Sequence, residues 1–556
     1  MLNNETSGHL VSDYKSFIDS FRVEDINNHL SGDLKIGLNV CYECCDRHAD
    51  SDSVAVFWEG LNGDNSSHTF SELRHYAAQF ANLLKQRGIQ PGDRIACMLP
   101  RIPDLFIVAL GAWRAGAVYV PLFTAFGTKA IEYRLRESSA RIVITDGPNR
   151  GKLDNIPDLP PVMMVVRPGD EPIRSSDIDF HSSLSEQSNE FAPIMRSAND
   201  PFLLMFTSGT VGTSKGVPIP IKALPAFIVY MKYGIGLREN DNFWNMADPG
   251  WAYGLFYAVV GPLLMGNATH FYEGSFSADS TYQMLEKYKI TVLVSAPTAY
   301  RMLMASGDKV VKKYKLKLQL ACSGGEPLNP EAIRWIETHI GCTIGDHYGQ
   351  TEVGMLVCNH HGLRHIKRPG SMGLPMPGFR IVVLNDNFEE VKPGGSGRLA
   401  IDTSQSPLYS FQGYQGQKRP ILEGPYYLTG DNAELGLDGI LTFMGRADDI
   451  ILSAGYRIGP FDVESCLIEH PAVAESGVIG KPDKERGEIV MAFVVLNPGY
   501  TESASLVSDL QQYTRTRLST HSYPREITFI KTLPKTPSGK IQRFVLRQQV
   551  QNQRNY

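Results

Sequence analysis

Between residues 69 and 88 apolar side chains return every three or four positions. Leu73, Ala77, Phe80, Ala81 and Leu84 share one face, and most other positions are polar. This period predicts a helix. Thr69 and Glu72 form a capping box at its start, and Gly88 stands where a left-handed residue would end it. RIACML (94–99), AVYVPL (117–122), RIVITD (141–146) and PFLLMF (201–206) are short apolar runs that read as buried strands, and PDLFIVALGAWRAGA (103–117) reads as a helix between the first two. Strands alternating with helices predict an α/β sandwich with mostly parallel sheets. Residues 150–200 are polar, Pro-rich and irregular, and read as a surface connection.

The same rhythm returns after residue 200. YQMLEKYKI (282–290) is helical, TVLVSAPT (291–298) is a strand ending in a proline turn, and residues 316–340 give strand, glycine-rich turn and helix. From about residue 370 the pattern changes. GFRIVVLN, GRLAI and ILTFMGR are short strands between Gly/Pro turns and predict a small β-rich lobe. After Arg446, a helix near 461–469, strands at 473–480 and 488–496 and a helix near 504–518 predict a mixed α+β unit. The expected division is an N-terminal domain over 1–446 and a small C-terminal domain over 447–556. A length of 556 residues, more than one core usually serves, agrees with it.

Composition excludes more than it selects. Hydrophobic residues make up 42% and charged residues 20%, as in ordinary globular proteins. A net charge of −5 gives no signature of a nucleic-acid partner. No basic start followed by an apolar core marks a secretory signal, and LFYAVVGPLLM (255–265) is about half the length that spans a bilayer, so a cytoplasmic protein without a membrane span is expected. Of eight cysteines only Cys41, Cys44 and Cys45 cluster, with His48 beside them. Zinc would want a second ligand pair at matching spacing, so buried reduced thiols are the expectation.

One loop carries candidate chemistry on its own. TSGTVGTSKG (207–216) follows the strand PFLLMF and combines three glycines, hydroxyls and Lys215. Glycines let the backbone approach a phosphate, amides and hydroxyls donate to it, and lysine adds charge. The spacing is not that of a Walker A loop, because Lys215 is followed by Gly216 rather than Ser or Thr. A phosphate cradle and a flexible surface loop both fit the stretch taken alone.

Five further motifs follow in order: SGGEPLNPE (323–331), GDHYGQTEVG (345–354), YYLTGD (426–431), GRADDIILSAGYRIGPFDVES (445–465) and PKTPSGKIQR (534–543). With the opening loop they make the whole chain resemble the adenylate-forming superfamily of acyl-CoA synthetases, nonribosomal adenylation domains and luciferases. NVCYECCDRH, ADPGWAYG and the GYRIG form of the late loop resemble acetyl-CoA synthetase and the short- and medium-chain acyl-CoA synthetases most.

The resemblance implies a two-step reaction. A carboxylic acid attacks the α-phosphorus of ATP, pyrophosphate leaves, and the thiol of CoA then displaces AMP from the acyl-adenylate. It implies that Thr207, Ser208, Gly209, Thr210, Gly212 and Lys215 hold the β- and γ-phosphates. Val211 and Ser214 depart from the family's usual Thr and Pro, and the second departure is expected to loosen the loop. It implies that Glu352 ligates Mg²⁺, a hard cation that wants carboxylate and phosphate oxygens, although such a charge also suits a helix start. Thr351 would reach the α-phosphate. Gly325, Glu326, Pro327, His347, Tyr348 and Gln350 would line the nucleotide site, with Asp346 accepting from the adenine amino group. Asp431 would bind the ribose hydroxyls with Arg446 as partner. Lys540 would be catalytic, bridging the acid and an α-phosphate oxygen. Asp448 would be the hinge that later swings Gly455 and Tyr456 toward CoA and Arg457 toward phosphate. Arg134 is a weaker candidate for the CoA nucleotide, with an ordinary surface arginine as the alternative. The exposed Lys540 loop also suggests control by a lysine acetyltransferase and deacetylase, because acetylation removes the charge.

The acyl pocket is expected near Trp251, Ala252, Tyr253, Gly324 and Gly349. The resemblance implies tryptophan at 349 and valines at 324 and 252 in acetyl-CoA synthetases. Three smaller residues here open volume and Tyr253 closes some, so the expected acid is longer or bulkier than acetate: butyrate to octanoate, branched, or aromatic. An acetyl- or propionyl-CoA synthetase, a ligase loading a carrier protein and a decayed binding protein are the rivals.

Overall fold

The computed structural model describes residues 12–50, 52–207, 214–417, 420–453, 456–483, 486–518, 521–536 and 539–553. Ser208, Gly209, Thr210, Val211, Gly212 and Gly455 therefore lie outside the described residues, and of Arg457 only the backbone, in the strand Tyr456–Ile458, is described.

Local chemistry sets the first long helix, Phe70–Gln86. The Thr69 hydroxyl accepts from the Glu72 amide at 3.1 Å, and the Glu72 carboxylate accepts from the Thr69 amide at 2.8 Å. Gly88 ends the helix at φ +76°, and the Ile89 and Gly88 amides donate to the Leu84 and Lys85 carbonyls. The next helix, Asp104–Arg114, is buried on every face from Leu105 onward, which is why its sequence is almost continuously apolar.

Two large sheets form the N-terminal domain. A seven-stranded sheet runs Ile178–Asp179, Val162–Val165, Ile142–Asp146, Arg94–Met98, Val118–Pro121, Pro201–Phe206 and Gly216–Pro220, parallel except for the last pair. Its first two strands come from the stretch expected to be irregular, which also holds the helix Phe180–Ser185. VMMV is short and bracketed by prolines, so its strand character depends on pairing with Ile142–Asp146. A nine-stranded sheet runs from Leu374–Pro375 through Gly354–Cys358, Thr343–Gln350, Leu320–Gly324, Val292–Ser295, Phe243–Asn245, Thr269–Tyr272 and Val54–Glu59 to Asn65–Thr69, and its middle pairs are parallel. Pro297 does not make the expected turn. It is the first residue of the helix Pro297–Ser306, where its missing N–H costs nothing.

The β-rich lobe is a four-stranded antiparallel sheet: Ile381–Leu384, Ser396–Asp402, Tyr426–Leu435 and Leu441–Arg446. The C-terminal domain is a five-stranded sheet with helices Pro460–Ile468, Ala504–Arg517 and Arg543–Gln553. It has its own core, with Val463, Leu467, Val478 and Val490 buried together. It rests on the larger domain through Asn329, which donates to the Ser465 hydroxyl at 3.2 Å, and through Arg334, 3.6 Å from Glu469.

The apolar stretch 255–265 is a buried helical pair, Leu255–Val260 and Gly261–Met265, and no helix among the described residues is long and apolar enough to cross a membrane. All eight cysteines are free and buried. Burial pushes the Cys41, Cys44 and Cys45 thiols up, and Arg114 beside them is paired to Asp46 at 2.7 Å.

Candidate active site

Parallel strands Leu320–Gly324 and Thr343–Gln350 end side by side, with Ser323 opposite Asp346 and Gly324 opposite His347. Ligands of α/β sheets bind outside such carboxyl ends. The loop after the first strand turns at Gly325, φ +96°, and runs back so that the Leu328 amide donates to Asp346 Oδ2 at 3.0 Å. Asp346 Oδ1 is buried with no hydrogen-bond partner among the described residues. An acceptor so placed suits an exocyclic amine. Burial pushes this carboxyl up to about 7. His347 points to the other face. Burial pushes its imidazole down to about 3, so it is neutral, and Nδ1 lies 2.8 Å from the Tyr230 hydroxyl.

Tyr348 and Gln350 converge on Asp431 from the same strand. The Tyr348 hydroxyl donates to Asp431 Oδ2 at 2.5 Å and the Gln350 amide at 3.0 Å, while the same amide reaches the Thr429 carbonyl at 2.7 Å. Asp431 and Arg446 are cross-strand partners, with their charges 3.6 Å apart. Burial pushes the Asp431 carboxyl up, and Arg446, Tyr348 and Lys540 pull it back. Lys540 therefore stands near enough to act on Asp431 although it belongs to the other domain. Its loop is a closed turn: the Lys540 amide donates to the Thr536 hydroxyl at 3.1 Å and the Thr536 amide to the Lys540 carbonyl at 2.8 Å. Gly539 faces Thr298 and Glu326 across the domain gap. Arg446 also lies 3.5 Å from Asp448. Asp449, the next residue, is held by Arg547 at 2.7 Å and Arg543 at 3.6 Å.

Glu352 accepts from the Tyr414 hydroxyl at 2.9 Å, and Lys215 Nζ lies 4.7 Å from the Tyr414 ring centre. Tyr414 thus joins Lys215 to the QTE turn. Thr207 and Lys215 are tied twice, Thr207 N to Lys215 O at 3.0 Å and Lys215 N to Thr207 Oγ1 at 3.2 Å. Ser214 adds to this tie. Its hydroxyl donates to the Thr207 carbonyl, and its own carbonyl accepts from Tyr133 at 2.7 Å.

One cleft of about 1950 Å³ joins these groups. Thr207, Lys215, Trp251, Ala252, Tyr253, Gly324, Gly325, Glu326, Pro327, Asp346 to Glu352, Asp431, Arg446, Asp448 and Lys540 all line it. Tyr456 does not: it stacks on His521, ring centres 3.8 Å apart. Arg134 is not the ordinary surface arginine of its alternative reading: it is 7% exposed, packed on Phe126 and Phe206 and 3.4 Å from the Ser214 hydroxyl.

The two glycines of the pocket expected for the acid face occupied positions. A Cβ on Gly324 would come within 2.9 Å of the Tyr253 ring, and one on Gly349 within 2.4 Å of the Gly354 carbonyl and 2.8 Å of Met355 Cα. Tyr253 and Met355 occupy space that the two glycines were expected to leave open. The Tyr253 hydroxyl lies 3.3 Å from that of Tyr230, which continues to His347. Tyr230, Met355 and Tyr414 carry no motif, and no sequence signal pointed to them.

Residues 43–414 match the family model described as AMP-binding enzyme, and residues 462–540 match its C-terminal domain. An acetyl-coenzyme A synthetase of Bacillus subtilis is 38% identical over 92% of this chain and 90% of its own length. The crystal structure of a Brucella canis acyl-CoA synthetase is 48% identical, with a TM-score of 0.79 over 98% of this chain and all of that one. An anthranilate CoA ligase solved with anthranoyl-AMP is 25% identical, with a TM-score of 0.86 over 96% of this chain and all of that one. The match to both family models and the identity to these proteins over nearly the whole chain place it in the AMP-binding enzyme family, as an ATP-dependent, AMP-forming acyl-CoA ligase.

Proposed function

We propose that the enzyme activates a carboxylic acid longer or bulkier than acetate and transfers it to free CoA. The observation that carries this is the wall at position 349, where a glycine and the side chain of Met355 replace a rigid indole. Methionine is unbranched and adapts to irregular ligands. Trp251, Ala252, Tyr253, Phe256 and Tyr257 line the same end of the cleft. The reading that favours acetate or propionate rests on Tyr253, which fills the space at Gly324. The Bacillus relative is an acetyl-CoA synthetase and the structural neighbour an anthranilate ligase, so pockets of this fold serve acids of both sizes.

The residues then take these roles. The adenine amine is accepted by Asp346 Oδ1, the ribose by Asp431 with Arg446, and the β- and γ-phosphates by the loop 207–216. Glu352 would hold Mg²⁺, and the donor set fits: one carboxylate beside a phosphate loop suits an ion that takes few protein oxygens and keeps phosphate and water. Bound there, the ion would neutralise phosphate charge. Lys540, directed into the cleft, bridges the acid's carboxylate and an α-phosphate oxygen. The place of Lys540 on the cleft wall supports reading this arrangement as the adenylating one. Rotation about Asp448 would carry Lys540 out and the GYRIG loop with Gly455, Tyr456 and Arg457 in, with 1–446 and 447–556 as the two units that move. Acetylation of Lys540 would block the first step only. Eight free buried thiols support a reducing, cytoplasmic setting.

A panel of acetate, propionate, butyrate, hexanoate, octanoate, isobutyrate and benzoate tests the acid by CoA-dependent AMP formation. Turnover is expected to rise past propionate. A maximum at acetate would overturn the reading. Tyr253→Ala is expected to move the optimum up by about two carbons, since the lost ring frees buried volume and each buried methylene contributes about 0.8 kcal/mol. Comparing kcat/KM across the same panel checks it.

A further inference from the structure

The turn that carries Lys540 is tied firmly into its own domain. Thr536 closes it, and the helix Arg543–Gln553 begins just after it. Arg543 Nη2 donates to Glu464 Oε1 at 2.8 Å and to Oε2 at 2.7 Å, and Glu464 also accepts from the Val478 amide at 2.8 Å. Arg547 donates to Asp449 Oδ1 at 2.7 Å, which fixes the same helix to the residue after Asp448. The backbone at Lys540 therefore has little freedom of its own. Its place in the cleft is set by where the turn meets the larger domain.

That meeting point has a defined chemistry. Gly539, at φ +90°, faces two side chains: a Cβ there would lie 3.7 Å from Thr298 Oγ1 and 3.9 Å from Glu326 Oε1, ordinary contact distances. Thr298 stands in the first turn of the helix Pro297–Ser306, and Glu326 in the loop after the strand Leu320–Gly324. They belong to separate elements, and one nitrogen joins them. Arg301 Nη2 donates to the Thr298 hydroxyl at 2.9 Å and to Glu326 Oε2 at 3.1 Å. Arg301 lies about one helical turn after Thr298, so the two share a face. With Oε2 taken by the arginine, Oε1 is the Glu326 oxygen turned to Gly539. The Arg301 and Glu326 side chains are 30% and 18% exposed, and an ion pair so placed adds little to stability. Its consequence is orientation.

We propose that Arg301 is a positioning residue for adenylation: it sets Thr298 and Glu326 as a seat on the larger domain, and the Lys540 turn docks on that seat through Gly539. This rests on the reading of Lys540 as the adenylation lysine. Arg301 acts through the seat and touches no reacting atom. Rotation about Asp448 would lift the turn away, so the seat serves the first step and not the second.

The test compares wild type with Arg301→Gln, Arg301→Lys, Thr298→Val and Lys540→Met. Four quantities are read: ATP–pyrophosphate exchange with acid, CoA-dependent consumption of supplied acyl-AMP, melting temperature, and the rate at which acetic anhydride labels Lys540, followed by mass spectrometry. Arg301→Gln is expected to slow exchange about tenfold at saturating ATP, the effect of losing a charged hydrogen bond. It should leave acyl-AMP consumption and the melting temperature unchanged, and Lys540 should label faster as the turn leaves its seat. Arg301→Lys keeps a charge for Glu326 and is expected to recover part of the exchange. Thr298→Val removes one neutral hydroxyl and is expected to slow exchange about threefold. Equal losses in both half-reactions with a lower melting temperature would show a packing role and overturn the proposal. A raised KM for ATP with unchanged maximal exchange would assign Arg301 to nucleotide binding and overturn it as well. So would wild-type exchange and labelling in Arg301→Gln when Lys540→Met is slow. If Lys540→Met exchanges as fast as wild type, the reading of the lysine itself fails and takes this proposal with it.

Discussion

Lys540→Met slows acyl-adenylate formation by about 10²–10³-fold, the effect of removing about 2.7–4 kcal/mol of preorganised charge stabilisation, and leaves thioester formation from supplied acyl-AMP nearly unchanged. The reason is geometric. Several negative charges meet in the first step, and the protein offers few cations that reach the carboxylate and the α-phosphate together. Lys215 is at the phosphate loop, beside Tyr414. Arg446 is committed to Asp431 and Asp448. Lys540 comes from the other domain, on a turn closed by Thr536 and seated against Thr298 and Glu326, and it lines the cleft. The bonds that shape this turn are made by its backbone and by Thr536, so the substitution removes the charge and keeps the loop. Two assays separate the steps: ATP–pyrophosphate exchange with acid, and CoA-dependent consumption of acyl-AMP. Equal losses in both would mean that the lysine holds the domains together and has no special place in adenylation.

Asp431→Ala raises the KM for ATP about 100-fold, from the loss of two hydrogen bonds to a charged group at about 1.5–3 kcal/mol each, part of it recovered by water. Asp431 is 5% exposed and accepts from Tyr348 and Gln350 while facing Arg446. Its removal strands all three. Asp431→Asn keeps one acceptor and is expected to fall between. The pH dependence has a definite sign. Burial holds the folded carboxyl above its ordinary value, so the ionised acceptor is lost as pH falls through that raised pKa. The KM for ATP of wild type should therefore climb on acidification sooner than an ordinary carboxylate would allow, and that of Asp431→Asn should stay flatter. Titration calorimetry with AMP across the same pH range reads the effect without turnover.

The helix at 69–88 shows how much local sequence can carry. Its cap, its buried face and its glycine stop are interactions among residues within a few positions, and all are present in the fold. The six motifs in order had the same virtue for the family, because each is a short stretch that is legible without its distant neighbours. Asp431 and Arg446 could be named as partners, and they pair across adjacent strands. Residues 150–200 were misread because VMMV is a strand only by virtue of the neighbour it pairs with.

Volume and pairing were decided elsewhere. Glycines at 324 and 349 look like space removed, yet Tyr253 and Met355 reach into it, and no local pattern shows which distant side chain fills a gap. Tyr414 meets Glu352 across 62 positions of chain. Arg134 looks like any arginine of an amphipathic helix until packing turns that face onto Phe126 and Phe206. Local patterns along the chain were enough for the family and for most of the elements, because caps, turns and motifs act within a few residues. The filling of the space at Gly324 and Gly349, the partner of Glu352 and the burial of Arg134 came with the fold, because each depends on atoms that the chain brings together from far apart.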